Sequence, residues 1–229
     1  MKLYHIAIMA VATLLTATAC KESTFLDNPP QGVLSDDVLQ SEKGVSLLVS
    51  SAYSALMGPE GQSWSVWFYP TTNWTYGSVR ADDAYKGGGG VGDGGDVHRM
   101  ETMDIDATVG NLDGKWFHLY TSVQRCNSAL RLLNSMSEEQ LPSRNVQIAE
   151  MKTLRAHFYF ELSRMYNQIV YFEEDYEGEV SALSNVEYNR DQILEKIANE
   201  FEEAAKVLPA TPSELGRVGK YQALAYAAK

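Results

Sequence analysis

Apolar residues recur at alternating steps of three and four along four stretches of the chain. This spacing places them on one face of a helix, so it predicts four amphipathic α-helices. Their apolar positions are, in order, Val45, Leu48, Val49, Ala52 and Leu56; Trp116, Leu119, Val123, Cys126, Leu130 and Leu133; Ile148, Met151, Leu154, Phe158, Leu162, Met165 and Ile169; and Ile193, Ile197, Phe201, Ala204 and Leu208. Arg155 and His157 border the third apolar face and are expected to be solvated or structural.

Residues at the ends of these stretches support the assignment. The first helix is predicted to begin near Ser41, and Asn189 is predicted to cap the fourth, which Pro209 ends. The linker between residues 134 and 146 is short and polar. We therefore expect the second and third helices to form an antiparallel hairpin.

The fourth helix carries a weak signature of a helical repeat. Phe201, Ala204 and Pro209 match the spacing F-x2-A-x4-P of the tetratricopeptide consensus. The predicted fold is therefore all-α, a tetratricopeptide-like helical repeat scaffold with a long irregular loop insertion. A further helix begins at Lys220 and has no partner after it. We interpret residues 41–229 as the N-terminal part of a helical domain whose C-terminal half is missing.

The insertion lies between residues 60 and 114, where neither a helical nor a strand period persists. Trp64, Trp67 and Phe68 are interpreted as packing residues. The following stretch has the composition of a sugar-binding surface, because sugars need flat aromatic platforms and polar groups that meet their hydroxyls. The candidate ligand-binding residues are Trp74, Tyr76, Arg80, Asp82, Asp83 and Tyr85.

A run of glycines over residues 87–95 follows these candidates. It is not a phosphate-binding loop, because no Gly-Lys followed by Ser or Thr is present. A surface loop is the favoured interpretation, and no cofactor or metal site is predicted. The alternative left open is a single Ca²⁺ bound by clustered carboxylates. The carboxylates in question are Asp82, Asp83, Asp93 and Asp96.

Charge and reactive residues exclude two classes of function. The net charge of −11 argues against nucleic acid as a partner, since phosphate backbones repel acidic proteins. Cys126 lies in the apolar register of its helix, which predicts a buried and unreactive thiol. Asp82 and Asp83 are adjacent, whereas the two carboxylates of a glycosidase must face each other across the scissile bond. The sequence therefore predicts a protein that is not an enzyme.

The N-terminus has the layout of a lipoprotein export signal. Lys2 precedes an apolar run from Ile6 to Leu15, which is too short to cross a membrane as a mature helix. Small residues at 17–19 then lead to Cys20, the predicted site of lipidation. We expect residues 1–19 to be a signal peptide and residues 20–40 to form a lipidated N-terminus and tether.

Several sequence blocks occur together behind this cysteine. They are Phe25-Leu26-Asp27, Trp116-Phe117-His118-Leu119-Tyr120, Arg125-Cys126-Asn127, residues 154–162 (LRAHFYFEL), residues 193–209 and Gly216-Arg217-Val218-Gly219-Lys220. In this order the chain resembles the RagB/SusD family, the surface glycan-binding lipoproteins of Bacteroidota.

The resemblance implies a lipid-anchored protein on the outward face of the outer membrane. Such a protein would capture oligosaccharides and deliver them to a TonB-dependent transporter of the SusC type. Two alternatives stay open from the residues themselves. One is a surface glycan hydrolase with its catalytic part in the missing C-terminal region, and the other is a purely protein-binding helical repeat.

Overall fold

A computed structural model describes residues 40–57 and 73–229 of the chain. The expectations for the signal peptide, Cys20, the tether and the aromatic residues at 64, 67 and 68 concern positions outside these residues. The described part contains helices and no strand, in agreement with the predicted all-α class. In chain order the elements are α1 (Glu42–Ser54), a π-helical turn (Trp74–Val79), α2 (Gly95–Glu101), α3 (Gly110–Ser135), α4 (Arg144–Met165), a 3-10 turn (Val180–Ala182), α5 (Arg190–Val207) and α6 (Lys220–Ala227).

Helix α1 begins where its sequence predicts. The Ser41 side chain accepts a hydrogen bond of 3.1 Å from the backbone N–H of Gly44, which satisfies one of the free donors of the first turn. Val45, Val49 and Ala52 are buried on the face that contacts α3 and α4.

Helices α3 and α4 form the predicted antiparallel hairpin. At one end the Arg144 side chain donates a hydrogen bond of 2.8 Å to the carbonyl of Leu133, next to the connecting loop. At the other end the Tyr166 hydroxyl donates to the carbonyl of Leu112 over 2.6 Å. The start of each helix therefore lies beside the end of the other.

Helix α5 packs on α4, and α6 packs on α5. Asn189 and Gln192 form a reciprocal capping box at the start of α5, with hydrogen bonds of 3.0 and 2.9 Å. Phe201 is fully buried and stacks on Tyr226 of α6 at a centroid distance of 5.3 Å. Successive helices thus bury one continuous apolar core, as helical repeats do.

A cluster of charged and polar side chains lies inside this core. Arg155 of α4 is 1% exposed, and its guanidinium pairs with Glu200 of α5 and with Glu174 of the loop after α4. It also donates a hydrogen bond of 2.7 Å to Asn127 of α3. One side chain therefore joins three helices and a loop, so Arg155 is structural, one of the two roles that the sequence left open.

The insertion is more regular than the sequence predicts. Trp74–Val79 forms a π-helical turn, and the end of the glycine run opens α2. Both elements are short enough that no apolar period could reveal them. In the described part of the chain, no helix combines the length and the apolar character that a membrane span requires.

Candidate functional site

The six candidate ligand-binding residues fall into two environments. Trp74 and Tyr76 belong to the π-helical turn and are half-buried. The other four follow in an exposed turn, and these are Arg80, Asp82, Asp83 and Tyr85. Asp82 adopts a left-handed backbone conformation with φ of 65°, which Asp tolerates better than most residues. The structure therefore places the six on one segment without gathering them in one cavity.

Tyr76 is held by the start of α3. Its hydroxyl donates a hydrogen bond of 2.9 Å to the carbonyl of Asn111, and the ammonium of Lys115 lies 4.9 Å from the centroid of its ring. Burial raises the pKa of Tyr76 well above its ordinary value. Both the hydroxyl and one ring face are thus engaged within the protein.

A cavity of about 640 Å³ lies beside Trp74, and we call it the glycine-loop cavity. Its volume is in the range of sites for small ligands. It is lined by Trp74, Lys86, Gly87, Gly88, Asp93, Gly94, Gly95, Asp96, Val97 and Asn111. Of the six candidates from the sequence, Trp74 alone contributes to this lining.

Lys86 closes the glycine loop on itself. Its ammonium donates hydrogen bonds to the backbone carbonyls of Gly87, Gly90 and Asp93 over 3.0, 2.8 and 2.7 Å. Its backbone N–H donates to the Glu101 carboxylate over 3.1 Å. The three carbonyls would otherwise turn to solvent or to a cation, so the lysine fixes the shape of the loop.

Glycine is required at one point of this loop. Gly88 has φ of +82°, and a Cβ there would lie 2.5 Å from a carboxylate oxygen of Asp93. The same oxygen accepts a hydrogen bond of 2.8 Å from the N–H of Gly89. The glycine run therefore allows the close approach of Asp93 to the backbone.

The second acidic residue of the cavity has a structural partner as well. An oxygen of Asp96 accepts a hydrogen bond of 2.8 Å from the N–H of Gly110, at the first turn of α3. Negative charge at a helix start is stabilising because the free N–H groups there are partly positive. Among the residues described, no group of three or more His, Cys, Asp or Glu side chains is arranged to bind a metal ion.

The cavity offers stacking and hydrogen bonding to a ligand. Trp74 supplies an aromatic ring, Asn111 an amide and the loop a series of peptide groups. Such a lining suits an uncharged molecule with hydroxyl groups and apolar C–H faces. Sequence reasoning missed Lys86, because its partners are backbone carbonyls that leave no mark in the sequence. It missed Asn111 because only the folded chain brings this residue to the cavity.

A second cavity of about 550 Å³ lies along the outer face of α3, and we call it the α3 groove. Its lining residues are Asp113, Trp116, Phe117, Tyr120, Thr121, Gln124, Val170, Phe172, Ser181 and Leu183. The signal that sequence reasoning passed over is Phe117, an apolar residue directly beside the apolar stripe that contains Trp116. A large apolar side chain off the stripe of an amphipathic helix is a candidate surface contact.

Two of the reactive side chains, Cys126 and His118, are buried. Cys126 is inaccessible, and burial raises the pKa of its thiol far above the ordinary value. His118 is inaccessible too, and burial together with the charge of Lys115 lowers the pKa of its imidazole. The prediction that Cys126 is buried is confirmed.

Comparison with solved structures defines the class of protein. Surface glycan-binding protein A from Bacteroides fluxus shares 25% identity with a TM-score of 0.65, over 82% of this chain and 39% of that protein. Surface glycan-binding protein A from Bacteroides thetaiotaomicron shares 24% identity with a TM-score of 0.65, over 83% of this chain and 38% of that protein. A laminarin binding SusD-like protein shares 21% identity with a TM-score of 0.63, over 80% of this chain and 38% of that protein. The fold is thus that of SusD-like proteins.

The family follows from the sequence itself. Residues 95–229 match the SusD-like family described as "Starch-binding associating with outer membrane", and the chain belongs to this family. A comparison with curated proteins finds no match. The chain spans about two fifths of the length of the solved structures that it resembles.

Proposed function

We propose that the chain is part of a cell-surface lipoprotein that captures oligosaccharides and delivers them to a TonB-dependent outer-membrane transporter. Membership of the SusD-like family supports glycan binding at the outer membrane. The glycine-loop cavity supports a particular binding site within the chain. It places the half-buried Trp74 among peptide groups, an amide and two carboxylates.

In this proposal the protein binds the glycan reversibly and breaks no bond in it. The Trp74 ring would stack on the C–H face of a pyranose, while Asn111 and the peptide groups of the loop would meet its hydroxyls. Lys86 acts as a positioning residue, because its three hydrogen bonds hold the loop that forms the wall. A wall that is already shaped loses less entropy when a ligand binds.

Binding without hydrolysis is supported by how the acidic side chains of the cavity are used. Asp93 and Asp96 each accept a hydrogen bond from a backbone N–H, so both carboxylates hold the backbone of the site in place. Incubating the full-length protein with a glycan panel and assaying released reducing ends tests this point. Release above a no-protein blank would favour the hydrolase alternative.

Trp74→Ala should weaken glycan binding by about 1–3 kcal/mol, the usual loss of an aromatic contact with its desolvation. Isothermal titration with the best oligosaccharide of a glycan panel measures the change, and a thermal melt of the same variant reports stability. We expect the thermal midpoint to stay nearly unchanged.

Tyr85→Ala is the matched comparison for Trp74→Ala. Tyr85 is 72% exposed and lies outside the cavity lining, although the sequence places it in the same candidate set. Loss of affinity confined to Tyr85→Ala would move the site to the exposed turn. A large fall in the midpoint of Trp74→Ala with unchanged affinity would make Trp74 a packing residue.

Cys20→Ala should release the protein from the membrane, because acyl chains on Cys20 are the proposed anchor. Cell fractionation and immunoblotting in a strain that lacks the transporter measure the change. Cys126→Ala removes the other cysteine and should leave the protein in the membrane fraction. A Cys20→Ala protein that still pelleted with membranes would contradict the anchor.

A further inference from the structure

The wall of the glycine-loop cavity contains two carboxylates with unused hydrogen-bonding capacity. Asp93 and Asp96 both line the cavity, and each accepts one backbone N–H through its Oδ2 atom over 2.8 Å. The Oδ1 atom of each accepts no hydrogen bond from another residue that the structure describes. Each carboxylate therefore keeps an oxygen that can accept a hydrogen bond from a ligand.

The charge of these two carboxylates is not matched by the rest of the lining. Among the residues that line the cavity, Lys86 is the only one with a cationic side chain, so the lining has two negative charges, one positive charge and a net formal charge of −1. An ammonium group has three N–H donors. The carbonyls of Gly87, Gly90 and Asp93 accept hydrogen bonds from all three donors of Lys86. The lining thus keeps no charged donor for an acidic group of a ligand.

The two arginines between residues 73 and 113 contact other partners. The Arg99 guanidinium pairs with Asp106 over 2.9 Å. The Arg80 guanidinium lies 3.9 Å from the sulfur of Met103. In the described part of the chain, neither carboxylate of the cavity forms an ion pair with an arginine, lysine or histidine. The negative charge of the cavity is therefore not neutralised by a neighbouring side chain.

This balance of donors and charges bears on the class of sugar that fits. A sugar hydroxyl can donate to a carboxylate oxygen, and such charge-assisted hydrogen bonds are stronger than those between neutral groups. The carboxylate of a uronic acid would lose water on entering the cavity and would face two like charges. The same wall thus stabilises a hydroxyl and repels an acid.

We propose that Asp93 and Asp96 are specificity-determining residues, which make the glycine-loop cavity bind neutral hexose units and exclude uronic acid units. Trp74 supplies the ring on which a sugar stacks, and the two carboxylates select among the sugars that could stack there. This inference rests on the proposed function and names the class of sugar that the same site takes.

Paired oligosaccharides of equal length test the proposal. Neutral gluco-, galacto- and manno-oligosaccharides are each compared with the C6-oxidised counterpart, in which a carboxylate replaces the hydroxymethyl group. Isothermal titration into the full-length protein gives the two dissociation constants of each pair, and their ratio measures the preference for the neutral sugar. We expect a preference of about tenfold or more in the series that binds best, since each like charge contributes a factor of about three to ten.

Asparagine variants assign the preference to the two carboxylates. In Asp93→Asn and Asp96→Asn the amide oxygen can still accept the backbone N–H, while the charge is lost. Each variant should reduce the preference by about three- to tenfold, and the double variant should abolish it. Asp191→Asn is the matched control, because Asp191 is an exposed residue of α5 outside the cavity lining and its replacement should leave the preference unchanged.

A salt series on the wild-type protein tests the same charges without any substitution. Dissolved ions screen repulsion between charges, so added salt should strengthen binding of the oxidised sugar and narrow the preference. Thermal melts of the variants report whether they are folded. If the double variant does not fold, the salt series decides, and a preference that is insensitive to salt overturns the proposal.

The outcomes separate this inference from the proposed function. Oxidised sugars that bind the wild-type protein as tightly as neutral ones overturn the selectivity and leave glycan capture standing. A folded double variant with the wild-type preference overturns the role of Asp93 and Asp96. A wild-type protein that binds no sugar of either kind overturns the proposed function, and this inference with it.

Discussion

Replacing Arg155 with alanine should lower the free energy of unfolding by about 3–5 kcal/mol, the cost of breaking a buried ion pair from one side. Arg155 is 1% exposed and Glu200 is 8% exposed, so water cannot replace the lost guanidinium. The Arg155 Nε also donates to Glu200 over 2.9 Å. Chemical denaturation of the purified variant measures the change.

The loss should depend on pH. Burial raises the pKa of Glu200, and Arg155 offsets part of that rise. Without Arg155, the pKa of the Glu200 carboxyl in the folded state rises further above its value in the unfolded chain. The folded variant therefore takes up a proton at a higher pH than the unfolded chain does. The folded variant therefore gains stability relative to the unfolded chain as the pH falls, and the deficit should shrink under acid conditions.

Two further variants give the comparison. Lys206 lies on α5, and its ion pair with Glu203 is on the surface, where the two side chains are 67% and 64% exposed. Lys206→Ala should cost less than about 1 kcal/mol. Arg155→Met combined with Glu200→Met removes the guanidinium and the more buried of its two carboxylate partners, and should recover much of the loss. A cost below about 1 kcal/mol for Arg155→Ala would mean that water reaches the pair.

The helices could be predicted because the apolar residues of each helix repeat at helical spacing within one stretch of sequence. Ile193, Ile197 and Phe201 repeat at steps of four, and all three lie in the core. Caps are local signals as well, which is why Ser41 and Asn189 mark the starts of α1 and α5. Contacts within one helix or its cap need no knowledge of the rest of the chain.

The ion cluster could not be predicted in the same way. Arg155 pairs with Glu174 and Glu200, which are 19 and 45 residues away in the sequence. In a linear reading Arg155 looks like an ordinary charged residue beside an apolar face. Only the packing of α4 against α5 and the return of the following loop bring the three charges together.

The candidate site illustrates a second limit. The sequence shows that aromatic and acidic residues cluster near Trp74, but composition does not distinguish a ring that stacks on a ligand from one whose hydroxyl anchors a helix. Tyr76 is anchored to α3 through its hydroxyl, whereas Trp74 lines the cavity. Lys86 escapes prediction because its partners are backbone carbonyls, which every residue possesses.

Phe158 of α4 is fully buried in the core, and Phe158→Ala should lower the free energy of unfolding by about 3–5 kcal/mol. The loss has two parts. One is the hydrophobic transfer free energy of the removed ring, and the other is the cost of a cavity that the packed helices cannot close by small movements. Chemical denaturation of Phe158→Ala and Phe117→Ala measures the two losses, and their comparison isolates the effect of burial. Phe117 is 44% exposed, so Phe117→Ala should lower the free energy of unfolding by less than about 1 kcal/mol. Equal losses from the two substitutions would show that Phe158 does not face the core.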